Sequence, residues 1–149
     1  MSAVGIQAWI AVLVGVAAVI DDLARRQISN WIVYSALVGG IGWQAAEYGW
    51  KGFLYGAAGA MAGFAAFLIF YLFGGMGGGD IKLMASFGAL LGASRVLEAA
   101  LWTAGVGGLL AVGVLGYRAL RGPKAGAANS IPYAPAIALG VWLSLVPKS

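Results

Sequence analysis

The feature that most constrains this chain is a series of charge-free apolar runs that are long enough to cross a bilayer. A transmembrane helix needs about 20 predominantly apolar residues, and residues 2–20 form the first such run. Others follow at 27–46, 52–73, 99–117 and 125–144. With 62% hydrophobic and 9% charged residues, the chain is far more apolar than a soluble domain. It is predicted to be an all-α integral membrane protein with a single domain over residues 1–149.

The number of spans depends on a shorter apolar segment, residues 81–94. A helix of this length covers roughly 21 Å of a hydrocarbon core of roughly 30 Å, so it either crosses with help from flanking residues or re-enters. Lys and Arg favour cytoplasmic loops. Six spans with the N-terminus outside leave six basic residues inside and three outside: Arg25, Arg26, Lys82, Arg118, Arg121 and Lys124 against Lys51, Arg95 and Lys148. A re-entrant segment gives five against four, so we expect a bundle of six transmembrane helices.

The residue types present restrict the chemistry. Cysteine and histidine are both absent, which removes thiolate catalysis, Cys/His zinc sites and histidine acid–base catalysis. The basic residues occur singly or in pairs between apolar runs, which indicates topology signals and not a nucleic-acid surface. The carboxylates are few: Asp21, Asp22, Glu47, Asp80 and Glu98. In the six-span topology the three aspartates fall at the cytoplasmic face, whereas both glutamates fall outside.

Asp80 follows a glycine-rich stretch that ends in Gly77, Gly78 and Gly79. Aspartate is a favoured helix N-cap, so capping alone explains Asp80 as well as chemistry does. However, glycine also lets a substrate backbone come close, and an ionisable group at membrane depth is a functional candidate. Two close aspartates share a proton. One can then activate water while the other donates to a scissile carbonyl, without metal or cofactor.

Three segments resemble the type IV prepilin peptidases. Gly77–Asp80 fits the GxGD motif of membrane aspartic proteases, and GGGDIKLMA, residues 77–85, is similar to the family's second catalytic motif. Asp22, Ile28 and Asn30 have the spacing of D-x5-I-P-N in the short members that serve Tad/Flp pili, with serine in place of proline. Residues 131–140 resemble the last-helix signature iPxxPa…G.

This resemblance implies an aspartic endopeptidase of the bacterial inner membrane that removes the leader from prepilins or pseudopilins at the cytoplasmic face. It implies Asp22 and Asp80 as the catalytic pair, and selects Asp22 over Asp21. The substrate-binding candidates are Gly77, Gly79, Lys82 and Asn30, although Asn30 also suits the N-cap of the second helix. Because the similar members lack the methyltransferase region, no S-adenosylmethionine or other cofactor is expected. The sequence leaves the oligomeric state open.

Two other functions stay open. Presenilin-like intramembrane proteases share GxGD, but they place their first aspartate inside a helix, commonly in a YD motif that residues 20–22 lack. A small transporter or assembly factor could use Asp22 and Asp80 as ion sites. Such a protein typically places carboxylates near the bilayer midplane, often within repeated halves, and this sequence shows no internal repeat.

Overall fold

The computed structural model describes residues 3–73, 76–121 and 133–146, and all regular elements within these ranges are α-helices. Three helices contain stretches that are long and apolar enough to cross a membrane: Gly5–Arg25, Asn30–Leu72 and Ala93–Tyr117. This confirms the predicted all-helical membrane fold. The helices are α1 (Ala3–Arg25), α2 (Asn30–Leu72), α3 (Gly78–Leu91), α4 (Ala93–Arg121) and α5 (Ala134–Leu145).

Helix α2 consists of two arms that fold back on each other at Gly49. This glycine has φ 62° and ψ −142°, a conformation that residues with a side chain rarely adopt. Beyond it, Gly52 lies directly against the carbonyl of Gln44, and a β-carbon on Gly56 would lie 3.2 Å from the Cα of Ile41. Residues 30–48 and 50–72 therefore run side by side in opposite directions.

Helix α3 packs against both arms of α2 through glycines. Gly88 on α3 and Gly59 on the second arm are in backbone contact, so that a β-carbon on either one would overlap the carbonyl oxygen of the other. Gly63 makes a similar close approach to Met84. Small residues allow such contacts between helices in lipid. Gly92 has a different role. It is the C-cap of α3, and its φ of 82° is one that residues with a side chain rarely adopt.

Hydrogen bonds fix both ends of α3 to its neighbours. At its C-terminal end, the side-chain amides of Gln7 on α1 and Gln44 on α2 both donate to the carbonyl of Leu90. At its N-terminal end, Lys82 Nζ donates to Asn30 Oδ1 at 3.3 Å. Helix α3 therefore runs antiparallel to α1 and parallel to the first arm of α2, with its N-terminus beside the α1–α2 connection.

Helix α5 packs between α1 and α4. Gly140 lies directly against Thr103 on α4, and a β-carbon on Gly15 of α1 would lie 3.1 Å from the Trp142 ring. A β-carbon on Gly107 would lie 3.4 Å from the Tyr133 ring. These contacts bring the N-terminus of α5 to the end of the bundle where α1 ends. The predicted last span began at residue 125, and its first part lies outside the described residues.

Two local expectations require correction. The first apolar run ended at residue 20, but α1 continues through Asp21 and Asp22 to Arg25. Asn30 was expected to be the N-cap of the next helix, but the N-cap is Ser29. The Asn30 side chain instead accepts the hydrogen bond from Lys82, so a longer-range partner replaces the local one.

Candidate active site

The short connection between α1 and α2 is held by Asp21. The backbone N–H of Ser29 donates to Asp21 Oδ2 at 2.7 Å, and Arg25 Nε lies 3.3 Å from Asp21 Oδ1. Arg26 adopts a positive φ of 52° and donates its backbone N–H to the carbonyl of Asp22 at 2.7 Å. Both carboxylate oxygens of Asp21 are thus engaged within this connection.

Asp22, one residue later, points into the bundle. Its side chain is buried, with 7% exposed. The backbone N–H of Ala134 donates to Asp22 Oδ2 at 3.2 Å, and Ala134 is the first residue of α5. The neighbouring aspartates therefore occupy different environments, because Asp21 stabilises a loop and Asp22 contacts a distant helix.

Asp80 lies in the first turn of α3, outside the three candidate membrane-spanning stretches. Its Oδ2 accepts the backbone N–H of Gly77 at 3.2 Å. The N-cap of α3 is therefore Gly77 and not Asp80, whose side chain instead reaches back to the N-cap from the third helical position. Asp80 is also buried, with 8% exposed. Burial raises the pKa of Asp80 to about 6, and the nearby Asp22 also raises it, whereas the Gly77 hydrogen bond lowers it.

Asp22 and Asp80 line the same pocket of about 410 Å³ at the end of the bundle. The six residues predicted for the site, Asp22, Asn30, Gly77, Gly79, Asp80 and Lys82, all line this pocket, together with Arg26, Gln27, Ile28 and Gly78. We refer to it as the carboxylate pocket. Two buried carboxyls and two cationic side chains share a volume large enough for several waters or a short stretch of peptide.

Contacts between loops set the shape of the carboxylate pocket. A β-carbon on Gly79 would lie 3.4 Å from the β-carbon of Ile28, and one on Gly77 would lie 3.6 Å from Asp80 Oδ2. Glycine at these two positions keeps the α3 end close to the α1–α2 connection and leaves the carboxyl accessible. Across the mouth, the Lys82–Asn30 hydrogen bond joins α3 to α2.

An apolar groove of about 160 Å³ lies beside the carboxylate pocket. Its lining comes from the second arm of α2, the residue before Gly77, α4 and the start of α5: Phe67, Phe70, Met76, Thr103, Ala104, Gly107, Gly108, Ala111 and Tyr133. Met76 and Tyr133 directly precede Gly77 and Ala134, the residues whose backbone N–H groups contact the two aspartates. At Met76 and at Tyr133, the groove lining is therefore adjacent in sequence to a residue that is hydrogen-bonded to one of the two aspartates.

Comparison with known protein families matches residues 9–112 to the type IV leader peptidase family. The chain belongs to that family. The matched region covers well over half of the sequence and includes both Asp22 and Asp80. Type IV leader peptidases are proteases, so membership together with the apolar helices indicates a protease-like membrane protein. Searches of curated proteins and of solved structures found no match.

Within this leader peptidase fold, sequence reasoning missed the backbone N–H of Ala134. The segment 131–140 resembled a family signature, but no site role was assigned to it. Its first two residues lie outside the described part of the chain, whereas Ala134 is described and contacts Asp22. A backbone donor has no residue-type signal, so only the helix position could have suggested it. Within residues 3–73, 76–121 and 133–146, no three Asp, Glu, His or Cys side chains form a group that could hold a metal ion.

Proposed function

We propose that this chain is an aspartic endopeptidase that removes the leader from type IV prepilins or pseudopilins, with Asp22 and Asp80 as its catalytic pair. The observation that carries the proposal is the position of two buried carboxyls, from separate helices, on one pocket. Buried carboxyls with a charged neighbour in a cleft are characteristic of functional sites. Asp21 has loop partners and is not a member of the pair.

The proposed chemistry uses one proton shared by the two carboxyls. The ionised member accepts a proton from a water molecule, whose oxygen then attacks the scissile carbonyl carbon. The protonated member donates its proton to the carbonyl oxygen, which gives an uncharged tetrahedral diol. When this intermediate collapses, the C–N bond breaks, the leaving amine takes a proton from the pair, and one diol hydroxyl returns its proton to the pair as the new carboxyl group forms. The pair ends with the one proton it had at the start.

The loops around the pair are proposed to bind the scissile segment. Gly77 and Gly79 expose backbone on the pocket wall, so an extended peptide can approach closely. Lys82 and Asn30 line the same pocket and are hydrogen-bonded to each other, and their ammonium and amide groups can donate to substrate carbonyl oxygens. These four residues are therefore proposed as substrate-binding groups.

The apolar groove is proposed to receive the apolar helix that follows the cleavage site of a prepilin. The occupant must place an extended polar segment in the carboxylate pocket and an apolar segment beside it, since both sites adjoin the same loop at Met76. Small residues on α4, Ala104, Gly107 and Gly108, leave room for close helix contact. A membrane protein whose cleavage site precedes its apolar helix fits both requirements.

The proposed topology has six crossings, with α2 contributing two, and its carboxylate pocket facing the cytoplasm of the bacterial inner membrane. Arg25, Arg26 and Lys82 lie at the pocket end of the bundle, where the positive-inside rule expects cations. Helix α3 is only 14 residues long, so it would cross with polar residues near both faces. The D-x5-I-S-N spacing supports a Tad/Flp-type substrate.

Co-expression with candidate prepilins, including Flp-type ones, tests this function. The wild-type protein should shorten at least one prepilin, and N-terminal sequencing of the product should place the cut directly before the apolar helix. Absence of cleavage of all candidates by a well-inserted wild-type protein would instead favour the transporter or assembly-factor alternative. Cleavage inside the apolar helix would favour the presenilin-like alternative.

A further inference from the structure

We infer that the first turn of α5 is a positioning element of the catalytic pair: the backbone N–H of Ala134 holds the Asp22 carboxyl and favours its ionised form. This inference rests on the proposed function and extends it. It adds a third helix to the site.

The donor has the right place in its helix. The first backbone N–H groups of an α-helix have no partner within the helix, and together with the helix dipole they favour an anion. Ala134 is the first residue of α5, and its N–H donates to Asp22 Oδ2 at 3.2 Å. Ala134 is fully buried, so little water competes for this bond. The acceptor of this bond, Asp22, is a buried carboxyl on a different helix.

Asp22 needs such a partner because of its own location. It lies in the last turn of α1, which ends at Arg25, and the negative end of a helix dipole disfavours a carboxylate. Only 7% of Asp22 is exposed, so solvent contributes little. The positive end of α5 opposes both effects.

The other charged and titratable groups near Asp22 are few. Asp21 precedes it on α1, and Tyr133 precedes its donor on α5. Those that line the carboxylate pocket with it are Arg26, Asp80 and Lys82. Neither cation has a described ion pair with Asp22, so the α5 amide is the direct contact that favours the ionised form.

Asp80 is similar to Asp22 in its burial and in having one described backbone donor, the N–H of Gly77. Because the two carboxyls line the same pocket, ionisation of both at once is unfavourable. Loss of the Ala134 donor would therefore change how the pair shares its proton.

Packing along α5 fixes the position of the donor. Gly140 is in contact with the backbone and hydroxyl of Thr103, and Gly15 lies against Ala138 and Trp142. These contacts hold α5 against α4 and α1 over its whole described length. The packing of α5 on α1 and α4 therefore fixes the distance from Ala134 to Asp22.

A backbone ester tests this assignment. Incorporation of lactic acid at position 134 by nonsense suppression replaces the Ala134 N–H by an ester oxygen and leaves the side chain unchanged. The same replacement of Ala136, in the same turn of α5 and equally buried, is the matched control. Each ester also weakens one carbonyl acceptor. Insertion and thermal melting of both proteins are compared first.

We expect the ester at 134 to lower the rate of prepilin cleavage by about 10- to 100-fold, as for loss of a hydrogen bond to a charged group. In the protein with the ester at 134, the acidic limb of the pH–rate profile should move to higher pH. The control ester at 136 should leave this limb unchanged. An unchanged rate, or a lower rate with an unmoved acidic limb, would overturn the inference, because a merely structural role gives the second result.

Infrared titration of the Asp22 carboxylate band, identified by its absence in Asp22→Asn, gives a readout that is independent of cleavage. The band should be lost at a higher pH in the ester protein than in the wild type, and an unmoved band overturns the inference. This titration needs no substrate. If the inference holds but the proposed function fails, the ester will shift the band although the wild-type protein cleaves no prepilin.

Discussion

Ile28 lies directly against Gly79, so that a β-carbon on Gly79 would be 3.4 Å from the β-carbon of Ile28. This contact joins the α1–α2 connection, which follows Asp22, to the first turn of α3, which contains Asp80. A Gly79→Val substitution should displace Ile28 and separate the carboxyls. Because small misplacements of reacting groups are costly, we expect prepilin cleavage to fall at least about tenfold.

The control for this prediction is a compensating change on the other side of the contact. Ile28→Ala removes the side chain that the valine of Gly79→Val would displace, so the double variant should recover part of the lost cleavage. A double-mutant cycle measures this coupling directly. If the two substitutions are additive, the contact does not set the separation of the aspartates.

The raised pKa of Asp80 predicts a measurable protonation window. Burial, and secondarily Asp22, raise this pKa from the usual 3.8 to about 6. Between these values the folded state holds a proton that the unfolded chain has lost, so the melting temperature should fall as pH rises through this window. Above about pH 6 both states are ionised, and the dependence ends. Asp80→Asn should remove this contribution.

Infrared titration of the protonated Asp80 carboxyl provides the direct measurement. Its C=O band should be half lost near pH 6 in the wild type. In Asp22→Asn the band should be lost at a lower pH, because one cause of the raised pKa is then absent. A midpoint near the usual value of 3.8 in the wild-type protein contradicts the described burial of Asp80.

The contact between Gly59 and Gly88 predicts a large effect of one added methyl group. Gly88→Ala would place a β-carbon on the Gly59 carbonyl oxygen, so α3 would have to move, at a cost of about 1–3 kcal/mol or more. Gly39→Ala is the control, since nothing lies within 4 Å of its β-carbon position. It should be neutral or stabilise by up to about 1 kcal/mol. Thermal melting in detergent compares the two, and equal melting temperatures would contradict the described packing.

The apolar groove predicts a defect in substrate binding. Gly108 lines the groove, and nothing lies within 4 Å of its β-carbon position, so Gly108→Leu should fill the groove without disturbing the bundle. We expect KM for prepilin to rise about tenfold or more with little change in kcat. Gly113→Leu, on the same helix outside the groove, should leave both constants unchanged. Equal effects of the two variants would argue against the groove as the docking site.

A cross-link can identify the occupant of the groove directly. Because the chain has no cysteine, a single cysteine at position 108 can be paired with single cysteines along the prepilin helix. A cross-link that depends on the position in the prepilin helix supports the proposal. Cross-links only between copies of this chain would assign the groove to self-association.

Much of the fold was predictable from sequence because lipid imposes a simple pattern. Charge-free runs predicted the helices, and the two runs around Glu47 and Lys51 correspond to the two arms of α2. The placement of Asp22 and Asp80 at one end of the bundle followed from counting helices. Their hydrogen-bond partners did not, because Ala134 and Gly77 both act through their backbone N–H groups. Hydropathy also could not predict that α1 continues past both aspartates, since it does not register the hydrogen bonds and the ion pair that these carboxylates form.

The measurement that tests the central claim most directly is cleavage of a purified prepilin by purified protein in lipid nanodiscs, followed by mass spectrometry. Asp22→Asn and Asp80→Asn should each lower the cleavage rate by at least about 1,000-fold, because neither variant can share a proton between two carboxyls. Asp21→Asn is the matched control: its amide oxygen can still accept the Ser29 N–H, so cleavage should remain within a few-fold of wild type. Retained cleavage in Asp22→Asn or Asp80→Asn, with all proteins equally folded, would contradict the account.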